Sequence, residues 1–528
     1  MSFLFEQTVG KYTYIYECTS YRNEKGSPRN KRIPVGKIDL KTGKRIFKDS
    51  YSERLRQEGT IIEQADDEKM FSIEDIRNSA IRECGMTHLL LELSEKNGLA
   101  QALREAFPDI WREIFMLACF LVVTGDPFLY CEEWLKSTEC LPVGNMSTQR
   151  ISELLDAIEP ECRKVFHREW CAARGDREYL ALDITSSSSY SDLIDDVEWG
   201  YNRDGEGLPQ VNICLLMGEE SMLPIYQTVY SGSIKDVSTL DVTLAEFGDI
   251  TGGKPVLAVM DKGFYSKGNI DFMLGTDSRK FIISVPFTSL FAKRHVESER
   301  KDIDHVSNTI FNNGDSLRAI TKARSWGGRN IYTHVYFNAK KASLIREALY
   351  ADIARLKEEA ESAPEKYAKS NGHRKFLNIR KSGKSGSGYV VSIKEDAVSY
   401  KLRTSGWLVI ISNDISDAKE AIRIYRAKDV VEKGFLRLKK DLDLGRLRVH
   451  SQDRMRNKIF VGFIALILLS ELHRTMSGKG LYRSMTMRQL IRVLSKLRLQ
   501  IIGETRIIYP VTKEQRTIYE AFGVDPPA

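Results

Sequence analysis

The chain lacks the residue patterns that build metal-thiolate or disulfide sites. It has eight cysteines in 528 residues, all at or before Cys214, and none is spaced as C-x2-C. That spacing is the usual sign of a zinc site, and a chain this long does not need a disulfide framework. The eight histidines show no H-x3-H spacing. The sequence therefore predicts reduced thiols and no zinc site of the common classes.

Long hydrophobic runs are also missing. The longest, Ile459–Leu469, has eleven residues, which is too few to cross a bilayer, so a buried helix is predicted there. The first residues show no charged segment followed by an apolar one, so no signal peptide is expected. We therefore expect a cytoplasmic protein with no membrane partner.

The net charge of +7 is modest but uneven along the chain. Arg423–Arg456 holds eleven Lys/Arg against five Asp/Glu, and Ser370–Ile393 holds five Lys/Arg and no acid. Basic patches on a balanced chain fit a polyanionic partner. Taken singly, each patch is explained equally well as a solvated surface.

Hydrophobic periodicity divides the chain into six predicted segments. In 71–175 it predicts helices, one running from Ser72 to Glu83 and another capped by Ser147. The six segments are a β-rich meander (1–70), a helical bundle (71–175), an α/β region (176–287), an inserted mostly-β domain (288–415), a second part of the α/β region (416–475) and a basic helical C-terminus (476–528).

Two apolar segments of the α/β region each lead to an aspartate. YLALD is predicted as a strand that ends at Asp183, and PVLAVM as a strand that stops at Asp261. Neighbouring strands lie about 4.8 Å apart, so carboxylates at adjacent strand ends can converge. The predicted order is strand, strand, strand, helix, strand, helix, strand, which is that of a ribonuclease-H-like core.

A third carboxylate lies in the basic stretch near residue 430. Tyr425, Lys428, Glu432 and Lys439 follow the spacing Y-x2-K-x3-E-x6-K. On one continuous helix, seven residues make nearly two turns, so Tyr425, Glu432 and Lys439 are expected on one face. A carboxylate suits a metal ion, and cations with a phenol suit phosphate.

This stretch resembles the Y-x2-R-x3-E-x6-K signature of DDE transposases, in the insertion-sequence-four-like branch of bacterial elements. Lys428 stands where the family usually has Arg, which keeps the charge but loses the bidentate fork. LALDITSSSS and VMDKGFYSKGNIDFML resemble the family's first and second Asp motifs. The resemblance implies a ribonuclease-H-like catalytic core in which Asp183, Asp261 and Glu432 are catalytic and hold metal.

The implied activity is two-metal-ion cleavage of DNA and strand transfer, using Mg²⁺ or Mn²⁺. Tyr425, Lys428 and Lys439 would hold phosphates, and Trp326, beside two glycines, is a candidate platform for a flipped base. The partners implied are double-stranded DNA, as terminal inverted repeats and target, and a second copy of the chain. Residues 71–175 would bind the DNA ends, and the protein would lie in the bacterial nucleoid.

Two other functions fit the same residues. A ribonuclease-H-like nuclease would use the three carboxylates without strand transfer. A domesticated relative would bind DNA and cut nothing.

Overall fold

The computed structural model describes residues 2–10, 12–22, 28–39, 45–48, 50–51, 54, 77–139, 141–174, 178–312, 314–382, 388–503 and 505–528. It divides into two compact units, Met1–Asn78 and Ser79–Ala528. Ser72, the predicted start of a helix, lies outside the described residues.

The N-terminal unit contains an antiparallel meander. The sheet order is β1-β2-β3-β4, and its strands are β1 (Ser2–Val9), β2 (Tyr12–Arg22), β3 (Pro28–Ile38) and β4 (Arg45–Phe47). The register of β2 against β3 shifts between Ile15 and Tyr16. The pairing passes from Gly36 to Pro34, so the bulge adds Val35 to β3, and the Val35 side chain is buried.

The second unit is a mixed α/β structure built on a large sheet. Along the chain come β6 (Leu180–Ser189), β7 (Gln210–Gly218), β8 (Pro224–Ser231), α7 (Leu240–Ile250), β9 (Val256–Met260), α8 (Lys267–Leu274) and β10 (Arg279–Ser284). β6, β7 and β8 pair antiparallel, whereas β6, β9 and β10 pair parallel. The predicted succession of strands and helices is therefore present.

Strands from the predicted insertion continue this sheet beyond β10. The order is β11-β12-β13-β16-β10-β9-β6-β7-β8, with β17 paired to β6. The insertion strands are β11 (Thr309–Asn312), β12 (Asp315–Trp326), β13 (Arg329–Phe337) and β16 (Trp407–Ser412), whereas β17 (Arg446–Leu447) follows the insertion in the chain. Most of the insertion's strands thus share the sheet that carries the two aspartates.

The rest of the insertion forms a small cluster beside the sheet. Its hairpin β14 (Leu377–Lys381) and β15 (Tyr389–Ile393) packs on the long helix α10, around a buried core that includes Ile353 and Leu377. The helices of this part are α9 (Leu290–Glu299), α10 (Ala339–Ser362), α11 (Pro364–Tyr367), α12 (Asn371–Phe376) and α13 (Glu395–Leu402).

Helices cover the β6–β8 side of the sheet and share its largest core. They are α1 (Gly85–Lys96), α2 (Leu99–Ala106), α3 (Trp111–Thr124), α4 (Cys131–Ser137), α5 (Thr148–Ala157), α6 (Pro160–Ala173), α15 (Asp429–Lys440), α16 (Gln452–Gly478), α17 (Met487–Ser495) and α18 (Lys513–Phe522). Helix α14 (Ala418–Ala427) packs instead on β9–β12, where Ile422 and Ile424 join a separate buried cluster. The Ser147 hydroxyl accepts the Arg150 N–H at the start of α5, as predicted.

Helix α16 is the central element of this layer. By length and apolarity alone it could cross a membrane, but most of its residues are buried within the unit. It includes Ile459–Leu469, so the buried helix predicted for that run is confirmed.

Two predictions near the ends of this unit are wrong. Ala80–Glu83, predicted as helix, forms strand β5, because it pairs with β18 (Arg498–Ile502). The C-terminus is not a single helix, since β18 and β19 (Thr505–Ile508) form a hairpin between α17 and α18. In both places pairing with a distant segment overrides local helical periodicity.

Candidate active site

Asp183 and Asp261 lie side by side on neighbouring strands. The parallel register pairs Leu182 of β6 with Met260 of β9, so the next residues along, the two aspartates, are about 4.8 Å apart between strands. Asp261 directly follows β9, as predicted. Asp183 does not end its strand, because β6 continues to Ser189.

The polar half of β6 stays in the sheet because its serines have partners from distant segments. The Ser187 hydroxyl donates to the Leu444 carbonyl at 2.7 Å. Ser186 accepts the Arg203 N–H at 3.0 Å, and Ser188 accepts from the Asn202 amide at 3.1 Å. Buried hydroxyls that are hydrogen-bonded carry little penalty, so the run TSSSS forms a strand where its composition indicates a loop.

The surroundings of Asp183 disfavour its charge. Burial raises the pKa of this carboxyl to about 6, and the neighbouring Asp261 charge acts in the same direction. The Ile184 N–H and the Lys428 and Arg203 charges pull the pKa down without cancelling the rise. A buried carboxylate beside a second one is a site that gains from an added cation.

Asp261 is held by two hydroxyls. Tyr425 donates to its Oδ1 at 3.0 Å, and the Ser284 hydroxyl does so at 3.5 Å. Burial and the adjacent Asp261 charge raise the pKa of the Tyr425 phenol, which keeps it protonated as a donor.

The helix predicted through Tyr425, Glu432 and Lys439 is two helices. α14 ends at Ala427 and α15 begins at Asp429, with Lys428 capping both. The Val431 N–H bonds the Lys428 carbonyl at 3.0 Å, an i→i−3 contact that tightens the turn. The single-face geometry of an unbroken helix is therefore wrong.

Lys428 lies among all three predicted catalytic carboxylates. Its ammonium contacts Glu432 Oε1 at 2.6 Å, and it lies within electrostatic range of Asp183 and Asp261. Its side chain is 15% exposed against 53% for Glu432. Over the described residues, no three His, Cys, Asp or Glu side chains form a preassembled metal cluster. Glu432 is thus paired with the Lys428 ammonium, and the two aspartates lie side by side within electrostatic range of it.

A glycine brings α15 close to the sheet. A Cβ built on Gly434 would lie 2.4 Å from Met217 Sδ on β7. The buried side of α15 presents Val431 and Leu438 to the core. Glu432 lies two residues from Gly434, about 200° around the helix, so it is on the exposed side of α15.

Lys439 has an acidic partner that the sequence spacing did not indicate. Its ammonium contacts Asp204 Oδ2 at 2.7 Å and is 14% exposed. Next to Asp204, Arg203 pairs with Asp236 at 2.6 Å and acts electrostatically on Asp183. These three residues lie outside the motif, and no spacing relative to Asp183 identifies them in the sequence.

Trp326 lies away from the carboxylates. The sheet register places Thr321 of β12 level with Asp261. Trp326 is about 17 Å further along the strands and β12 is about 19 Å across from β9. Its indole donates to Asp271 at 2.7 Å, and its ring packs on Phe291. The structure therefore does not bring Trp326 to the site.

A cavity of about 1230 Å³ opens beside Asp261 and Tyr425. Its other walls are rich in aromatic and basic side chains, among them Tyr265, Phe287, Lys293, Arg294, Arg300, Tyr400, Arg403 and Trp407. Such a lining suits a substrate that combines rings with negative charge.

The fold and the site together describe a mixed α/β protein whose central sheet carries paired carboxylates among cations. Such a site suits a phosphate-bearing substrate. Residues 173–468 match the family model described as "Transposase DDE domain". This match covers more than half of the chain, and the protein belongs to the family of DDE-domain transposases.

Among solved structures, the chain is similar to "Cryo-EM structure of piggyBac transposase synaptic complex with hairpin DNA (SNHP)". The identity is 10% and the TM-score 0.34, over 76% of this chain and 70% of that one. A likeness of that size assigns no role to any residue. No curated protein sequence matches the chain.

Proposed function

We propose that this transposase binds the terminal inverted repeats of its own mobile element, cuts DNA there and joins the ends to target DNA. The observation that carries the proposal is the pairing of Asp183 and Asp261 on neighbouring strands, within electrostatic range of the Lys428–Glu432 ion pair, in a chain of the DDE family. The spacing Y-x2-K-x3-E-x6-K supports placing it in the insertion-sequence-four-like branch.

The three carboxylates fit divalent metal ions. Mg²⁺ and Mn²⁺ prefer carboxylate oxygens, and at Asp183 burial outweighs the nearby Lys428 and Arg203 charges and disfavours the ionised form. Asp183, Asp261 and Glu432 would hold two such ions, which supply Lewis acidity for in-line displacement at phosphorus. For Glu432 to act with the aspartates, its contact with Lys428 has to open.

The remaining residues would orient the reacting strand. Tyr425 fixes the Asp261 carboxylate through its hydrogen bond. Lys428 and Lys439 have single ammonium groups that can exchange a carboxylate partner for a phosphate oxygen. Asp204 would position Lys439 until DNA arrives.

The strand order supports the wider assignment. Three antiparallel strands followed by two parallel ones, with Asp183 on the central strand β6, fit a ribonuclease-H-like core. We further propose a homodimer that holds two DNA ends, and location in the bacterial nucleoid, both from the family resemblance alone.

A cleavage and joining assay tests the proposal. Purified protein is mixed with DNA carrying the element's own ends and Mg²⁺ or Mn²⁺, beside Glu432→Gln. The matched control is Glu420→Gln, which removes an exposed carboxylate on the adjoining helix α14. Nicking at the repeat boundary and a joined product, both lost only with Glu432→Gln, are expected.

Other results would contradict it. Nicking without joining would favour a nuclease, and DNA binding with neither product would favour a domesticated relative. Equal activity in Glu432→Gln and Glu420→Gln would remove Glu432 from the site.

A further inference from the structure

One face of α15 continues from Glu432 into a row of cations. Lys433, Arg437 and Lys440 follow at i, i+4 and i+7, so they lie along one edge of the helix. Lys433 and Lys440 are exposed, and Arg437 is half-buried. The row therefore begins next to the candidate active site and runs away from it.

Helix α17 carries a second row of the same kind. Arg488, Arg492 and Lys496 are spaced by four residues and all are exposed. Leu490 and Leu494 bury the opposite face. From 475 to 503 the sequence has six Lys/Arg and no Asp or Glu, so any acidic neighbour of this row comes from another segment.

The two rows adjoin at the end of α15. Asp441, which caps α15, lies within electrostatic range of Arg488 as well as of Arg437 and Lys440. Tyr482, in the turn that leads to α17, lies beside Arg437 and hydrogen-bonds His473 of α16 at 2.7 Å. Arg437 and Lys440 of the first row and Arg488 of the second thus share the neighbourhood of Asp441. The basic strip is the name used below for both rows together: Lys433, Arg437, Lys440, Arg488, Arg492 and Lys496.

The spacing of the strip suits a nucleic-acid backbone. Four helical residues rise about 6 Å, and one strand of a duplex carries a phosphate about every 3.4 Å along the axis. Each cation of α17 can therefore meet roughly every second phosphate. A row of exposed Lys and Arg contacts phosphates rather than base edges, so its binding does not depend on sequence.

We propose that the basic strip binds the sugar-phosphate backbone of duplex DNA flanking the cut, without regard to sequence. The inference rests on the proposed function, because it supposes that DNA reaches Glu432. It goes further because it assigns binding of the duplex beyond the reacting strand to the C-terminal region.

The test is the salt dependence of binding to a duplex of unrelated sequence, in EDTA so that no cutting occurs. The variant combines Arg488→Gln, Arg492→Gln and Lys496→Gln. Each lost phosphate contact lowers the slope of log affinity against log salt by about 0.9, so a fall of about 2.7 is expected. Between 50 and 200 mM salt, the wild type would then lose about 40-fold more affinity than the variant.

Two controls separate this role from loss of charge or fold. Lys340→Gln, Lys341→Gln and Arg346→Gln remove the same charge from exposed positions of α10 and should leave the slope unchanged. Arg488→Lys with Arg492→Lys keeps the charges and should restore the slope.

An unchanged slope in the α17 variant, or an equal fall in the α10 control, would overturn the inference. Failure of the proposed function would give a different result from failure of the basic-strip inference. If the protein cuts and joins DNA but the α17 variant has an unchanged salt slope, only the inference about the basic strip is wrong. If the α17 variant shows the expected slope change but the protein never cuts the ends of its element, the proposed function is wrong and the inference about the basic strip stands.

Discussion

Replacing Asp183 with asparagine should stabilise the fold, although it removes a proposed catalytic group. In the folded chain the pKa of this carboxyl is raised to about 6 by burial, against about 3.9 in an unfolded chain. The folded state therefore binds the proton more tightly. Between these two values stability falls as pH rises, and above pH 6 the full cost is present.

The magnitude follows from the shift. About two pKa units correspond to about 3 kcal/mol at most, and Asn keeps an oxygen that can accept the Ile184 N–H. A unit of about 450 residues has an unfolding entropy of about 1 kcal/mol per kelvin. We therefore expect Asp183→Asn to raise the unfolding temperature by about 3 °C at pH 7.5, and not at pH 4.

The assay is thermal unfolding in EDTA at pH 4, 5, 6 and 7.5. Asp241→Asn is the matched control, because Asp241 also accepts the N–H of the next residue, at 2.9 Å, but is exposed. The control should show no pH-dependent gain. Equal shifts for Asp183→Asn at pH 4 and 7.5, or destabilisation at pH 7.5, would refute the reasoning.

Two further substitutions test the core. Burial lowers the pKa of His167 to about 3, so the folded imidazole stays neutral while the unfolded one takes a proton below about pH 6.5. The contribution of His167 to stability therefore falls as pH drops. His167→Phe should abolish that loss, worth about 2 kcal/mol at pH 5, in urea unfolding at pH 5 and 7.5, and an unchanged pH dependence would contradict it. A Cβ on Gly462 would lie 1.9 Å from Leu444 Cδ1, so Gly462→Ala should cost about 1–3 kcal/mol in the same measurement. Gly478→Ala, at the open end of α16, should cost nothing, and equal effects of the two would refute the packing argument.

Much of the central sheet is predictable because its strands are apolar and short. PVLAVM and KFIISV can bury both faces, and the strands they form end close to where their apolar runs end. The extension of β6 through Ser189 is not predictable in this way. It depends on a hydrogen bond that Ser188 accepts from Asn202 and on one that Ser187 donates to the Leu444 carbonyl, which no local pattern contains.

The site shows the same division. The family motifs can place Tyr425 near Asp261 because both residues fall on motifs of DDE transposases. They cannot show the break at Lys428, where one i→i−3 hydrogen bond replaces regular helix. Nor do they show that Asp204 holds Lys439, since that contact joins segments far apart in sequence. The glycines that make Trp326 a candidate in the sequence form the β12–β13 hairpin turn, with Gly327 and Gly328 at positive φ.

In the proposed function, Asp261 holds a catalytic metal ion together with Asp183 and Glu432. Replacing the Asp261 carboxylate with a thiolate tests this role. Thiolates bind softer metals than carboxylates do, so Asp261→Cys should lose DNA cleavage with Mg²⁺ and regain it with Mn²⁺. Asp241→Cys, exposed on α7, should cut equally well with both. Asp261→Cys that cuts normally with Mg²⁺, or stays inactive with Mn²⁺ while still folded, would contradict the claim.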